Sequence, residues 1–175
     1  WRVSYPSFFL RQMVRPWVRF SLLCLLMVPW SGCAAAEQIT GSARVIDGDT
    51  LSVDGTRIRL YGIDAPETKQ SCLDEMQRRW ACGREATQWL RSLVSGQTVV
   101  CDVLDQDRYG RVVGRCLVNG YDINRRMVAD GMAVAYVNYS RDYVADQASA
   151  QAAGRGLWAG RFTMPWEYRR QSRPQ

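Results

Sequence analysis

Four carboxylates stand on two short segments: Asp47 and Asp49 in Ile46-Asp47-Gly48-Asp49-Thr50, then Asp64 and Glu67 in Ile63-Asp64-Ala65-Pro66-Glu67-Thr68. The chain has no histidine. Acid-base chemistry must therefore use carboxylates, tyrosines or arginines, and hydrolases that activate serine or cysteine with a histidine base are excluded. Oxygen ligands without His or Cys suit a hard cation such as calcium, which accepts carboxylates, backbone carbonyls and water together. A carboxylate beside such an ion can take a proton from water, while arginines stabilise charge growing on a phosphoryl group. Arg59 lies five residues before Asp64, and Arg111 closes the turn Asp107-Arg108-Tyr109-Gly110-Arg111. Each feature alone has a plainer reading, since Asp-Gly-Asp is common in ordinary turns and an arginine can be a surface charge.

Short strands and helices must hold these groups. Ile39, Ala43 and Val45, then Leu51 and Val53, alternate as strands do, and Asp54-Gly55 is a two-residue hairpin turn into Arg57-Ile58-Arg59-Leu60-Tyr61. From Gly83 the period changes to helical, with Ala86, Trp89, Leu90, Leu93 and Val94 on one face and Ser95-Gly96 as the stop. Thr98 to Leu104 and Val112 to Val118 are again strand-like. Asp122 is placed to cap a helix carrying Ile123, Met127 and Val128, and Ser140 to begin an alanine-rich helix ending near Gly154. The expected fold is α+β: a small five-stranded OB-type barrel with three helices. The basic tail, 161–175, is expected to be loose.

Residues 1–36 are read as an N-terminal extension and signal peptide. From Met13 come the charges Arg15 and Arg19, an apolar block from Phe20 to Trp30, then Ser31-Gly32-Cys33-Ala34-Ala35-Ala36. The apolar block is shorter than the roughly twenty residues that a spanning helix needs. Cleavage after Ala36 gives a secreted or periplasmic protein, and lipidation at Cys33 is the alternative that would attach it to a membrane. Without 1–36 the chain carries 19 basic and 17 acidic residues, so global basicity is weak evidence for a nucleic-acid partner. All but one of those basic residues are arginine, the side chain that grips phosphate oxygens in pairs, although a GC-rich genome also enriches arginine. Four cysteines remain, an even number for an exported domain. Cys101 and Cys116 flank the Asp107–Gly110 turn symmetrically and should face each other across a hairpin, which leaves Cys72 to pair with Cys82. Zinc is the rival use of these cysteines, but there is no C-x-x-C pair.

The segments Ile46 to Thr50, Arg59 to Thr68 and Asp107 to Arg111, extended by Ala135-Tyr136-Val137 and Gly156-Leu157-Trp158, resemble in order and rough spacing the signatures of the thermonuclease (staphylococcal nuclease-like) family. The domain reading is accordingly 37–160. The resemblance implies that Asp49 and Asp64 ligate Ca²⁺, that the Ala65 carbonyl joins them, and that Thr50 contacts water on the ion. It implies that Glu67 acts as general base or organises water, and that Arg59 and Arg111 hold the scissile phosphate. Tyr109 and Tyr136 match tyrosines around the bound nucleotide. The implied reaction is hydrolysis of DNA, RNA or both to 3′-phosphate and 5′-hydroxyl ends; a monomer is expected, and no protein partner is implied. This sequence departs from the pattern at Asn138, where a second pocket tyrosine is expected and Tyr139 stands next to it, at Gln147 in place of a helix glutamate, and at Ala65 in place of threonine. The reading from another class is a catalytically silent OB module that binds single strands or protein.

Overall fold

The computed structural model describes residues 1–2 and 37–173, so the expected export signal, its cleavage at Ala36 and the lipidation at Cys33 lie outside the described residues. Five strands carry the apolar alternation: β1 (Gln38–Val45), β2 (Thr50–Val53), β3 (Thr56–Leu60), β4 (Thr98–Gln106) and β5 (Val112–Val118). Their order is β3-β2-β1-β4-β5, and β5 pairs back onto β3 to close a barrel. All pairings are antiparallel except that closure, which runs parallel and sets Arg59 opposite Val113. The expected five-stranded barrel is thus present, and its closing seam brings Arg59 next to the strand that Arg111 precedes.

Burial explains why the pattern was readable. Leu51, Val53, Ile58, Leu60, Val99 and Cys101 are inside the barrel, and helix α1 (Cys82–Val94) covers one end with Ala86, Leu90 and Val94. Each buried Leu, Ile or Val contributes about 1.5–3 kcal/mol relative to exposure, so the period-2 and period-3.6 stripes are the strongest constraints on the chain. Helix α2 (Ile123–Ala129) starts where Asp122 accepts a hydrogen bond from the Arg125 amide at 2.9 Å. One member of α2 ties it to the seam: fully buried Asn124 accepts from the Cys116 amide at 3.1 Å and donates to the Tyr61 and Gly114 carbonyls at 3.0 and 3.1 Å.

Two expectations shift. Helix α3 (Val144–Ala152) begins four residues after Ser140, because the Ser140 hydroxyl accepts from the Asp142 amide at 3.0 Å and makes a turn instead of a cap. The described part of the tail, 161–173, is not loose. After a turn of 3₁₀ helix (Gly156–Ala159), helix α4 (Pro165–Gln171) makes a fourth helix. A second apolar cluster holds this region, with Leu157, Val134, Cys72 and Cys82 buried under Trp80, Trp158, Phe162, Met164 and Trp166.

Both expected disulfides are formed. Cys101 faces Cys116 directly across β4 and β5, and Cys72 joins Cys82 with a Cα separation of 5.7 Å. They point to an oxidising compartment. The first fastens the barrel hairpin, and the second fastens the start of α1 under the aromatic cluster. With sequence separations of 15 and 10 residues, each bridge should stabilise the fold by about 3 kcal/mol through the unfolded chain. Denaturant unfolding with and without reductant should show the two losses, and Cys101→Ala with Cys116→Ala should reproduce the first. An unfolding midpoint unmoved by reduction would contradict this.

Candidate active site

The turn between β1 and β2 is built around its own carboxylates. The Ile46 and Asp47 amides donate to the Thr50 carbonyl at 2.9 and 3.2 Å, and Asp47 Oδ1 accepts from the Asp49 amide at 3.1 Å. Asp49 then reaches the second acidic segment directly, since its Oδ2 accepts from the Ala65 amide at 3.1 Å. Gly48 is what allows the approach: a Cβ there would lie 2.7 Å from the Ala65 Cβ. The second segment is held from the far side by a short ladder, in which Asp64 pairs with Val134 and Ile63 with Ala135. Asp49 and Asp64 are buried, and Thr50 donates its hydroxyl to Asp49 Oδ1 at 3.1 Å.

Like charges so close need counter-charge. Arg59 supplies it, donating Nη1 to Asp49 Oδ1 at 3.1 Å and Nη2 to Asp64 Oδ1 at 2.9 Å. Burial works against the Arg59 charge, but the two carboxylates outweigh it and raise its pKa, so the guanidinium stays protonated. Burial pushes the Asp64 carboxyl upward, with Asp49 adding to the rise and Arg169 and Arg59 opposing it. Asp47 is raised to about 6, first by burial and then by the Asp49 charge.

Arg169 lies in the tail whose sequence suggests loose chain, and it enters the site as an addition to the expected residues. From α4 it donates Nη1 and Nη2 to the two oxygens of Asp64 at 3.0 and 2.8 Å, and Nη1 also to Glu67 Oε1 at 2.8 Å. Readable signals did exist: Pro165 at the helix start, Glu167 in the first turn, arginines in the last, and aromatics preceding them. Glu67 itself is fixed through its backbone. Its amide donates to Gln70 Oε1 at 3.2 Å and its carbonyl accepts from the Gln70 amide at 2.7 Å, while buried Gln70 reaches the Thr163 carbonyl at 2.7 Å. Helix α1 abuts the Glu67 carbonyl so closely that a Cβ on Gly83 would sit 1.7 Å from it.

The remaining expected residues line the same cleft, of about 300 Å³, whose walls include Asp49, Arg59, Ala65, Glu67, Tyr109, Arg111 and Arg169. Arg111 is held by Asp107, with Nε to Oδ2 at 2.7 Å, and exposed Tyr109 places its ring 5.8 Å from the Arg111 guanidinium carbon. Tyr136 lies in an adjoining cavity of about 520 Å³ with Tyr109 and Tyr139. Its amide donates to the Gly62 carbonyl at 2.9 Å and its ring stands 5.8 Å from Trp166. At the departures, Asn138 is exposed, Tyr139 lines that cavity with its hydroxyl bonded to Asp105, and Gln147 accepts from the Ala135 amide at 2.8 Å, bracing the strand that faces Asp64. The expected residues Asp49, Thr50, Arg59, Asp64, Ala65 and Glu67 therefore meet, with Arg111, Tyr109 and Tyr136 on the surrounding walls.

Among the described residues no group of three or more His, Cys, Asp or Glu side chains converges on one point. A cation here would draw on two carboxylates and complete its shell from the Ala65 carbonyl and water, with the Thr50 hydroxyl beside it. That all-oxygen set, in a pocket that already attracts two guanidinium groups, fits calcium.

Similarity to known proteins covers most of the barrel domain. The family model described as staphylococcal nuclease homologue matches residues 57–160, which include every expected site residue except Asp49 and Thr50. The chain is 40% identical over 140 residues to succinoglycan biosynthesis protein ExoI of Rhizobium meliloti (strain 1021), covering 78% of this chain and 72% of that protein. It is 38% identical over 137 residues to an uncharacterized endonuclease of Escherichia coli, covering 73% and 83% respectively. With an uncharacterized endonuclease of Haemophilus influenzae the identity is 32% over 169 residues, covering 92% and 89%. With the barrel, the site and these relatives in agreement, the chain belongs to the staphylococcal nuclease family.

Proposed function

We propose that this nuclease is a calcium-dependent phosphodiesterase that cleaves DNA, RNA or both within the strand, leaving 3′-phosphate and 5′-hydroxyl ends. The observation that carries the reading is the meeting of Asp49, Glu67 and Arg59 at one cleft, with Asp64 buried behind Arg59 and bonded to it, and Arg111 on the cleft wall. Asp49 and Asp64, with the Ala65 carbonyl, would hold calcium, and Thr50 would contact its water. When bound, the ion supplies Lewis-acid polarisation of the phosphate and a lower pKa for attacking water.

The protein groups do the rest. Glu67 orients the attacking water or takes its proton at a carboxylate oxygen. Arg59 and Arg111 offer planar donor forks to the phosphate oxygens as negative charge builds on them. Tyr109 and Tyr136, with Tyr139 where Asn138 offers no ring, form the wall against which a nucleotide rests. The protein would act as a monomer outside the cytoplasm, secreted or periplasmic, in keeping with its two disulfides. A silent binding barrel would have no need of this charged cluster, and a strand left intact in calcium would support that alternative instead.

Calcium at about a hundred times its Kd should stabilise the wild type by about 2.7 kcal/mol, because it binds the folded form. Asp49→Ala and Asp64→Ala should each remove both that thermal shift and cleavage while the protein still melts cooperatively. Cleavage by the wild type in excess chelator, or by either variant in calcium, would refute the cation mechanism.

Arg59→Lys should not restore turnover, since a point charge cannot span two phosphate oxygens. The expected loss is about a hundredfold or more in kcat, roughly 3 kcal/mol of transition-state stabilisation. Near-normal kcat in this variant would place Arg59 outside the reaction.

A further inference from the structure

Asp64 is fully buried, and guanidinium groups hold both of its oxygens: Arg59 takes one, and Arg169 takes both. Arg169 also takes Glu67, so one side chain of α4 is tied to a proposed calcium ligand and to the proposed base at once. The helix that carries it is firmly seated. Pro165 is buried, Trp166 lies against Tyr136, Phe162 meets Trp158 edge-on with centroids 4.9 Å apart, and Gln70 holds the Thr163 carbonyl. The tether keeps the guanidinium at high effective concentration over the carboxylates.

We infer that Arg169 is a built-in competitor of the cation: it occupies the Asp64 carboxylate when calcium is absent and must leave before calcium can be held there. The inference rests on the calcium reading of the site. Arg59 and Arg169 already fill both oxygens of this buried carboxylate, so calcium arriving with both in place would add a third positive centre where little water screens the repulsion. The geometry also gives the arginine a way out. Its side chain is 35% exposed and opens onto the cleft shared with Arg59 and Arg111, so it can swing from Asp64 without undocking α4. Calcium then binds only the fraction of molecules in which Arg169 has turned away, and the apparent affinity falls by that fraction. If Arg169 is seated about nine-tenths of the time, the apparent Kd is about tenfold weaker than the site's own. The same contact stabilises the metal-free protein by sharing with Arg59 the neutralisation of a buried acid.

The test is calcium titration by calorimetry, without nucleic acid, on the full chain and on Arg169→Gln and Arg169→Lys, together with melting temperatures in chelator. Arg169→Gln should bind calcium about tenfold more tightly, melt at a lower temperature in chelator and show a larger calcium-induced rise. Arg169→Lys, whose ammonium cannot take both oxygens in one plane, should fall between them. Unchanged or weaker calcium binding by a folded Arg169→Gln, against measurable binding by the wild type, would overturn the competition. Flat titrations for all three proteins would overturn the calcium reading and this inference with it.

Discussion

Two carboxylates from separate turns, Asp49 and Asp64, are buried side by side, and that placement is unfavourable until positive charge meets it. Much of the local architecture follows from this requirement. Gly48 lets the first turn press against Ala65, whose amide fixes one oxygen of Asp49. The parallel closure of the barrel carries Arg59 to the point where it bridges both acids. The Asp64 segment is pinned from behind by Val134 and Ala135, which Gln147 in turn braces. A site organised this way concentrates negative charge where a hard cation can use it and surrounds it with donor forks suited to phosphate.

Arginines reach the cleft from three parts of the chain: β3, the turn before β5, and the last helix, the first and last bonded to Asp64 and the second held by Asp107. Only the first two are written into local motifs. Arg59 and Arg111 sit in short segments with recognisable turns, so their proximity to the acids followed once the barrel was read. Arg169 stands 105 residues beyond Asp64, and its position depends on the packing of Trp158, Phe162, Met164 and Trp166 around the Cys72–Cys82 bridge. No periodicity in a seven-residue helix specifies that docking. The basic tail consequently looked like solvated charge, whereas the folded chain uses it as part of the acidic site.

A similar division runs through the rest of the fold. Alternation in β1 to β3, the Asp54-Gly55 turn, the symmetric placement of Cys101 and Cys116 and the Asp122 cap are local signals, and each appears where its spacing put it. Asn124 and Gln70 are polar residues whose value lies in distant partners: Asn124 satisfies three backbone groups at the barrel seam, and Gln70 links the Glu67 turn to the tail. Spacing marks neither residue, because hydrogen-bond partners many residues away leave no trace in it. Ser140 shows the converse, a good capping residue that folds into a turn because the chain needs a bend before α3.

The claim on which everything turns is that Asp49 and Asp64 jointly hold a cation, and anomalous diffraction from crystals of the protein grown with calcium would test it most directly. The expected result is one strong peak with the Asp49 and Asp64 carboxylates and the Ala65 carbonyl at about 2.3–2.6 Å, the range for calcium-oxygen contacts. A structure in saturating calcium with no peak between those two acids would contradict the claim.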